Sequence, residues 1–167
     1  MTGPGTFHWY PTYHLTAELT ISSCLPSNSQ DPYVHYLSHR ALDLLFKFFT
    51  SWCLRIIPDL FLKDMFRALS VPRNQVPPKT PHYSPMLHNA IMALALAFSD
   101  EPFGDLKTRT CYANHAKSFI EAECRRPNLS VVHAFSVLAT FHNAQGDQTL
   151  GFLYFGMTSS LCRKIGC

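Results

Sequence analysis

The sequence has few charges and no long apolar run, and each shortage excludes a class of protein. Asp, Glu, Lys and Arg make up only 15% of the 167 residues, while hydrophobic residues make up 47%, which is the opposite of a disordered composition. No uninterrupted apolar stretch approaches the ~20 residues that a membrane-spanning helix needs. The N-terminus also lacks the basic and then apolar segments of a signal peptide. We therefore expect a soluble protein with one core and no membrane partner.

The basic residues are too scattered to predict a nucleic-acid-binding surface. The 14 Lys and Arg leave a net charge of +3, and the only adjacent pairs are Arg125-Arg126 and Arg163-Lys164. Phosphate recognition needs several cations on one face, whereas basic pairs near helix ends complement the helix dipole. We therefore expect no direct nucleic-acid contact from this chain.

The cysteines lack the spacing of a zinc site. None of the 6 belongs to a CxxC pair, and their positions are Cys24, Cys53, Cys111, Cys124, Cys162 and Cys167. Structural zinc takes two closely spaced pairs of ligands, but only Cys162 and Cys167 are close, and no second pair completes a site. We expect no zinc, no other cofactor, and reduced thiols.

The histidines and acidic residues do not predict catalysis. His35 with His39, and Cys111 with His115, are four residues apart, but neither pair has the intervening glutamate of the HExxH motif. GxSxG is absent, and the acidic residues lie mostly at predicted helix ends, where they cap. We interpret the histidines as packing residues, and we predict no enzyme and no catalytic, cofactor-binding, metal-binding or DNA-binding residue.

Helical periodicity begins after a poorly patterned segment. Residues 1–37 are rich in turn formers and are predicted to be a poorly ordered lead-in. Residues 38–167 are predicted to form one helical domain. Ser38 is the predicted N-cap of its first helix, and Pro58 fits the first turn of the second. The four prolines between residues 71 and 82 predict a surface loop.

Capping residues place the later helices. Ser84 and Pro85 predict the start of an almost wholly apolar helix, which should be the most buried. The following helices are predicted over 108–124, over 131–144 with Ser130 as its cap, and over 148–165 between Asp147 and Gly166. Strand signals are weak. The fold class is therefore all-α, an irregular bundle of roughly six antiparallel helices.

The last predicted helix has unusual glycines and two apolar sides. Gly151 and Gly156 each cost roughly 1 kcal/mol relative to alanine, so we expect a neighbouring helix to approach closely, at Gly156 in particular. One predicted stripe would dock on the domain and contains Leu150, Leu153, Tyr154, Met157, Leu161 and Ile165. Phe152, Phe155 and Cys162 lie on a different side, which we expect to be exposed and to favour self-association.

Two blocks resemble a known family. SPMLHNAIMALA begins at Ser84, and NLSVVHA, followed by GDQTLGFLYFGM, comes later in the same order. These blocks resemble the regulatory middle homology region of fungal zinc-cluster transcription factors, the xylanolytic-activator type, over about residues 42–167. The resemblance implies an all-helical, nuclear, fungal-specific module that modulates transcription. DNA and zinc binding belong to a separate six-cysteine cluster in similar proteins.

The resemblance also implies a fragment and leaves other functions open. The zinc cluster is absent here, and similar proteins continue with more helices after the position of Cys167. Expected partners are other transcription-regulatory proteins, or a second copy through the last helix. The alternatives are a helical protein-interaction scaffold of unrelated function or a small-molecule sensor. Convergence of His115, His133 and His142 around one cavity would favour a sensor or an enzyme.

Overall fold

The computed structural model describes residues 32–48, 56–72, 75, 78–99 and 104–167. Within these ranges the chain forms seven α-helices and no strand, which confirms the all-α fold class. They are α1 (Pro32–Phe48), α2 (Pro58–Leu69), α3 (Pro85–Ala95), α4 (Leu106–Ser118), α5 (Ile120–Cys124), α6 (Leu129–Ala144) and α7 (Gln148–Ile165). A short 3₁₀ turn, Leu96–Phe98, extends α3.

Local capping rules explain where most helices begin. Pro58 opens α2, as predicted. The Ser84 side chain accepts a hydrogen bond from the Leu87 N–H at the start of α3, and Asp147 accepts one from Leu150 at the start of α7. Both caps confirm the sequence prediction. Gly166 ends α7 with a positive φ of 76°, a conformation that glycine adopts at little cost.

Helix α3 lies at the centre of the core. Nine of its 11 residues are buried, against ten of 16 in α6, which confirms that it is the most buried of the helices predicted from sequence. It contacts α1, α4 and α6. Helix α6 is buried on almost all sides, because Val137 and Phe141 are as inaccessible as Phe135 and Leu138. Helix α7 therefore packs on the outside of the bundle, antiparallel to α6 across a short turn.

The proline-rich loop is fastened to three helices. The His82 N–H donates to Asp64 Oδ2 of α2 at 3.1 Å, and Asn128 Nδ2, before α6, donates to the Thr80 carbonyl at 2.7 Å. Lys79 Nζ lies 3.4 Å from Glu123 Oε2 of α5. These contacts give a segment without helical hydrogen bonds a fixed path over the core.

Several predicted helix boundaries need correction. Helix α1 begins at Pro32, so Ser38 is not its N-cap. The remainder of the predicted lead-in, residues 1–31, lies outside the described residues. The predicted helix over 108–124 is two helices that meet at Phe119, and Asp105 caps the first. Asn128, rather than Ser130, caps α6, because its extended backbone presents the side chain to the Val131 N–H.

The prediction of close packing at Gly156 is wrong. A Cβ atom added to Gly156 would have no neighbour within 4 Å among the described residues, because this glycine faces away from the bundle. The close approach occurs at Gly151 instead, where an added Cβ would overlap the side-chain amide of Asn143 on α6. The sequence shows that both glycines lie inside the helix, but it does not show which side of α7 packs against α6.

The prediction of reduced thiols is wrong for three cysteines. Cys162 and Cys167 form a disulfide with a Cα–Cα distance of 5.0 Å, and Cys111 is also disulfide-bonded. The left-handed Gly166 turns the chain back, and the N–H groups of Gly166 and Cys167 both donate to the Cys162 carbonyl. This turn places the last two cysteines side by side. Cys124 is a free thiol, and burial raises its pKa.

Candidate interaction surface

The inner side of α7 is held by one aromatic residue. Tyr154 is buried, and its ring stacks on Phe135 of α6 with a centroid distance of 5.9 Å. It also lies 5.5 Å from the ring of His142. Burial raises the pKa of the Tyr154 hydroxyl, and the charge of Asp147 raises it further. Gly151 completes this side, so that α7 contacts α6 along a narrow stripe.

The outer side of α7 exposes four large apolar side chains. Phe152 is 78% exposed and Phe155 61% exposed, which confirms the predicted second apolar side for these two residues, whereas Cys162 is half-buried. Leu153 and Met157 were predicted to dock, but they are 51% and 44% exposed. The docking stripe is narrower than the pattern suggested, because α6 is the main element packed on α7 among the described residues, and it covers one side of α7. We call Phe152, Leu153, Phe155 and Met157 the outer patch.

An open groove of about 830 Å³ runs beside the outer patch. It is lined by Asn143, Gln148, Thr149, Gly151, Phe152, Leu153 and Phe155. Two amides and one hydroxyl supply its polar side-chain atoms, and no ionisable group lines it. Such a lining suits the contact of a protein surface better than acid–base chemistry.

One histidine and one aspartate meet at the α6–α7 turn. His142 Nδ1 lies 3.6 Å from Asp147 Oδ2, while Asp147 Oδ1 caps α7. Burial lowers the pKa of His142, the nearby Lys117 lowers it further, and Asp147 opposes both. The sequence prediction gave Asp147 only its capping role. The five-residue separation across the Gly146 turn is the signal that could have revealed the pair.

This pair lacks the third member of a catalytic triad. A triad needs a hydroxyl or thiol hydrogen-bonded to the second imidazole nitrogen. His142 Nε2 is buried, and no hydrogen-bond partner for it is found among the described residues. The arrangement therefore orients His142 and caps α7, and both effects fix the turn that positions the outer patch.

The three histidines whose convergence would indicate a sensor or an enzyme have different neighbours. His115 packs edge-on against Phe119, and His142 pairs with Asp147. His133 is influenced by His82 of the proline-rich loop. In the part of the chain that the structure describes, no group of three His, Cys, Asp or Glu residues is arranged to hold a metal ion. The side chain of His35 lies outside the described residues, and His39 is exposed.

The basic pairs occupy helix ends, as predicted. Arg163 and Lys164 lie in the last turn of α7, where a positive charge complements the helix dipole. Arg125 follows α5 and forms an ion pair with Glu121 at 2.8 Å. Arg109 contacts two core residues. Its Nε donates a hydrogen bond to the Ala93 carbonyl, and its guanidinium lies over the Phe141 ring.

A family model matches most of the chain. Residues 42–167 match the fungal specific transcription factor domain, a range that contains every helix from α2 to α7 and the C-terminal part of α1, residues 42–48. No curated protein and no solved structure matches the chain. Of the helices in the described ranges, none has both the length and the apolarity to cross a membrane.

Proposed function

We propose that this chain, which belongs to the fungal specific transcription factor domain family, is a regulatory region. It would modulate transcription in the nucleus through protein contacts. The family match supports the transcriptional context. The mode of action is inferred from the surface of α7. DNA recognition and zinc binding are assigned to other parts of such regulators.

The observation that carries the proposed mode of action is the outer patch. Phe152 and Phe155 present their rings to solvent on a helix that is otherwise well anchored by Tyr154 and Asp147. Large exposed apolar patches on folded domains mark interaction sites. The groove beside the patch has no ionisable lining, which favours binding over catalysis. The other partners expected for the domain are further transcription-regulatory proteins.

A reporter assay tests the regulatory role. The whole chain would be fused between a heterologous DNA-binding domain and an activation domain, and reporter output would be compared with that of a flexible linker of equal length. We expect the domain to change the output. Ala90→Asp places a charge in the core, since Ala90 is fully buried, and should abolish the change. Ala122→Asp is the matched control at an exposed position. Equal output from domain and linker would contradict the proposal.

The purified chain is predicted to bind neither zinc nor DNA specifically. Its cysteines lack paired thiolate spacing, and two of them are bonded to each other at the end of α7. Its adjacent cations are limited to two pairs, one of which is partly neutralised by Glu121. Metal analysis after dialysis and fluorescence anisotropy with duplex DNA measure both properties. Stoichiometric zinc, or saturable binding that depends on sequence, would refute the prediction.

A further inference from the structure

The outer side of α7 has the spacing of a seam between two helices. Five exposed residues follow one another at steps of three and four: Thr149, Phe152, Gly156, Ser159 and Arg163. This 3-4 spacing is the one at which paired helices interdigitate. α6 covers the opposite side of α7, so the seam is a second face that the described part of the chain leaves uncovered.

The sizes of the side chains along α7 make this face complementary to itself. The large residues Phe152 and Leu153 lie in the N-terminal half, and the small residues Ser159 and Ser160 lie in the C-terminal half. Gly156 lies at the middle of the helix, which runs from Gln148 to Ile165. If a second α7 crosses antiparallel at Gly156, Phe152 faces Ser160 and Leu153 faces Ser159. Large residues then oppose small ones in both directions.

The same crossing explains the position of Gly156. Glycine in a helix interior is unfavourable by roughly 1 kcal/mol, and within the described chain no neighbour requires a glycine there. At a two-fold axis the same residue of each copy meets its counterpart. The absence of a Cβ at that point lets the two backbones approach closely.

The charges of α7 favour the antiparallel orientation. The helix contains no acidic residue, and its cations, Arg163 and Lys164, are confined to the last turn. A parallel pair would bring four positive charges together. An antiparallel pair places each cationic end beside the uncharged first turn of the other copy, roughly 20 Å from its own counterpart.

The exposed area is close to the lower limit for a specific contact. At about 200 Å² for a full-size apolar side chain, the outer patch exposes roughly 400 Å² in each copy, which is the size of patch that marks an interaction site. Two such patches, together with Thr149, Ser160 and Arg163 at their edges, approach the lower range of specific interfaces, about 1,200 Å².

We propose that α7 is the interface of a two-fold symmetric homodimer in which two copies of α7 cross antiparallel at Gly156. This dimer goes beyond the regulatory role proposed above and does not depend on it. A chain that fails the reporter assay still dimerises if α7 pairs in this way, and a monomeric chain can still alter the reporter.

Sedimentation velocity on the purified whole chain tests the interface. Wild type should change from monomer to dimer as its concentration rises. Phe152→Ser should raise the dissociation constant roughly tenfold or more, since it removes a large apolar contact twice. Gly156→Leu should also abolish the dimer, because the added side chain obstructs the crossing. Leu106→Ser is the control, since Leu106 is an exposed apolar residue outside α7, and should leave the dissociation constant unchanged.

Cysteine cross-linking tests the register. Under mild oxidation Gly156→Cys should give a covalent dimer on a non-reducing gel, whereas Ser160→Cys should not, because Ser160 faces Phe152. Wild type shows the background from the native cysteines. Equal cross-linking at both positions would indicate a parallel pair and would overturn the register.

Two further outcomes would overturn the homodimer. One is a chain that stays monomeric at every concentration, or that forms larger assemblies insensitive to Phe152→Ser. The other is a longer natural polypeptide in which added sequence protects α7 from hydrogen exchange while the protein remains a monomer. The outer patch would then be covered by more of the same polypeptide.

Discussion

At the scale of single residues, three glycines differ in what surrounds the missing side chain. An added Cβ at Gly104 would lie 2.6 Å from the Ser99 carbonyl oxygen and 2.8 Å from that of Leu96. At Gly151 it would overlap the exposed side chain of Asn143, which is free to rotate away. At Gly156 it would contact none of the residues that the structure describes. Of these three positions, only Gly104 has backbone atoms that leave no room for a side chain.

Alanine substitutions should separate the three sites. Gly104→Ala should lower the free energy of unfolding by roughly 1–3 kcal/mol, because backbone carbonyls cannot yield without moving the turn. Gly156→Ala should raise it by up to about 1 kcal/mol through helix propensity, and Gly151→Ala should have a smaller effect than Gly104→Ala. Urea unfolding at concentrations where wild type is monomeric measures all three. A loss of stability in Gly156→Ala would mean that this glycine packs within the monomer.

At the scale of elements, Asn128 joins a helix to a loop. Its Oδ1 accepts a hydrogen bond from the Ser130 hydroxyl at 2.7 Å and caps the Val131 N–H, while its Nδ2 donates to the carbonyl of the buried Thr80. One side chain therefore links the start of α6 to the proline-rich loop.

Two substitutions of Asn128 should divide its roles. Asn128→Ser keeps a good N-cap but cannot reach Thr80, so it should lower the free energy of unfolding by roughly 1 kcal/mol or more, since the buried carbonyl loses its partner. Asn128→Ala loses the cap as well and should cost about another 1 kcal/mol. Urea unfolding gives both values. If the serine variant were as stable as wild type, the contact with Thr80 would contribute nothing.

The elements predictable from sequence are those set by local chemistry. Ser84, Asp147 and Gly166 each act on a backbone group within a few residues, and all three were assigned correctly. The choice of Asn128 over Ser130 was missed, because both are good caps and the contact with Thr80 decides between them. The exposure of Phe152 and Phe155 followed from periodicity. That of Leu153 and Met157 did not, because it depends on where α6 lies.

At the scale of the whole molecule, two partly buried histidines have a lowered pKa. Burial lowers the pKa of His88 to about 4, and the nearby His39 lowers it further. Burial, followed by the influence of His82, lowers that of His133 to about 4. His88 packs against Phe61 and Tyr83, and its Nδ1 is buried without a hydrogen-bond partner among the described residues. His88 lies on α3 and His133 on α6, the two helices at the centre of the core.

These histidines should make the fold sensitive to acid. Their folded pKa lies below the ordinary value of 6.5, so the unfolded chain binds protons more readily, and stability is lost as pH falls from about 6.5 towards about 4. We expect the free energy of unfolding to drop by about 2–4 kcal/mol between about pH 7 and about pH 5. Urea unfolding across this range measures it.

Replacing both His88 and His133 with phenylalanine should flatten the dependence of stability on pH, whereas replacing the exposed His39 should change it little. An unchanged slope in the double variant would assign acid sensitivity to other groups.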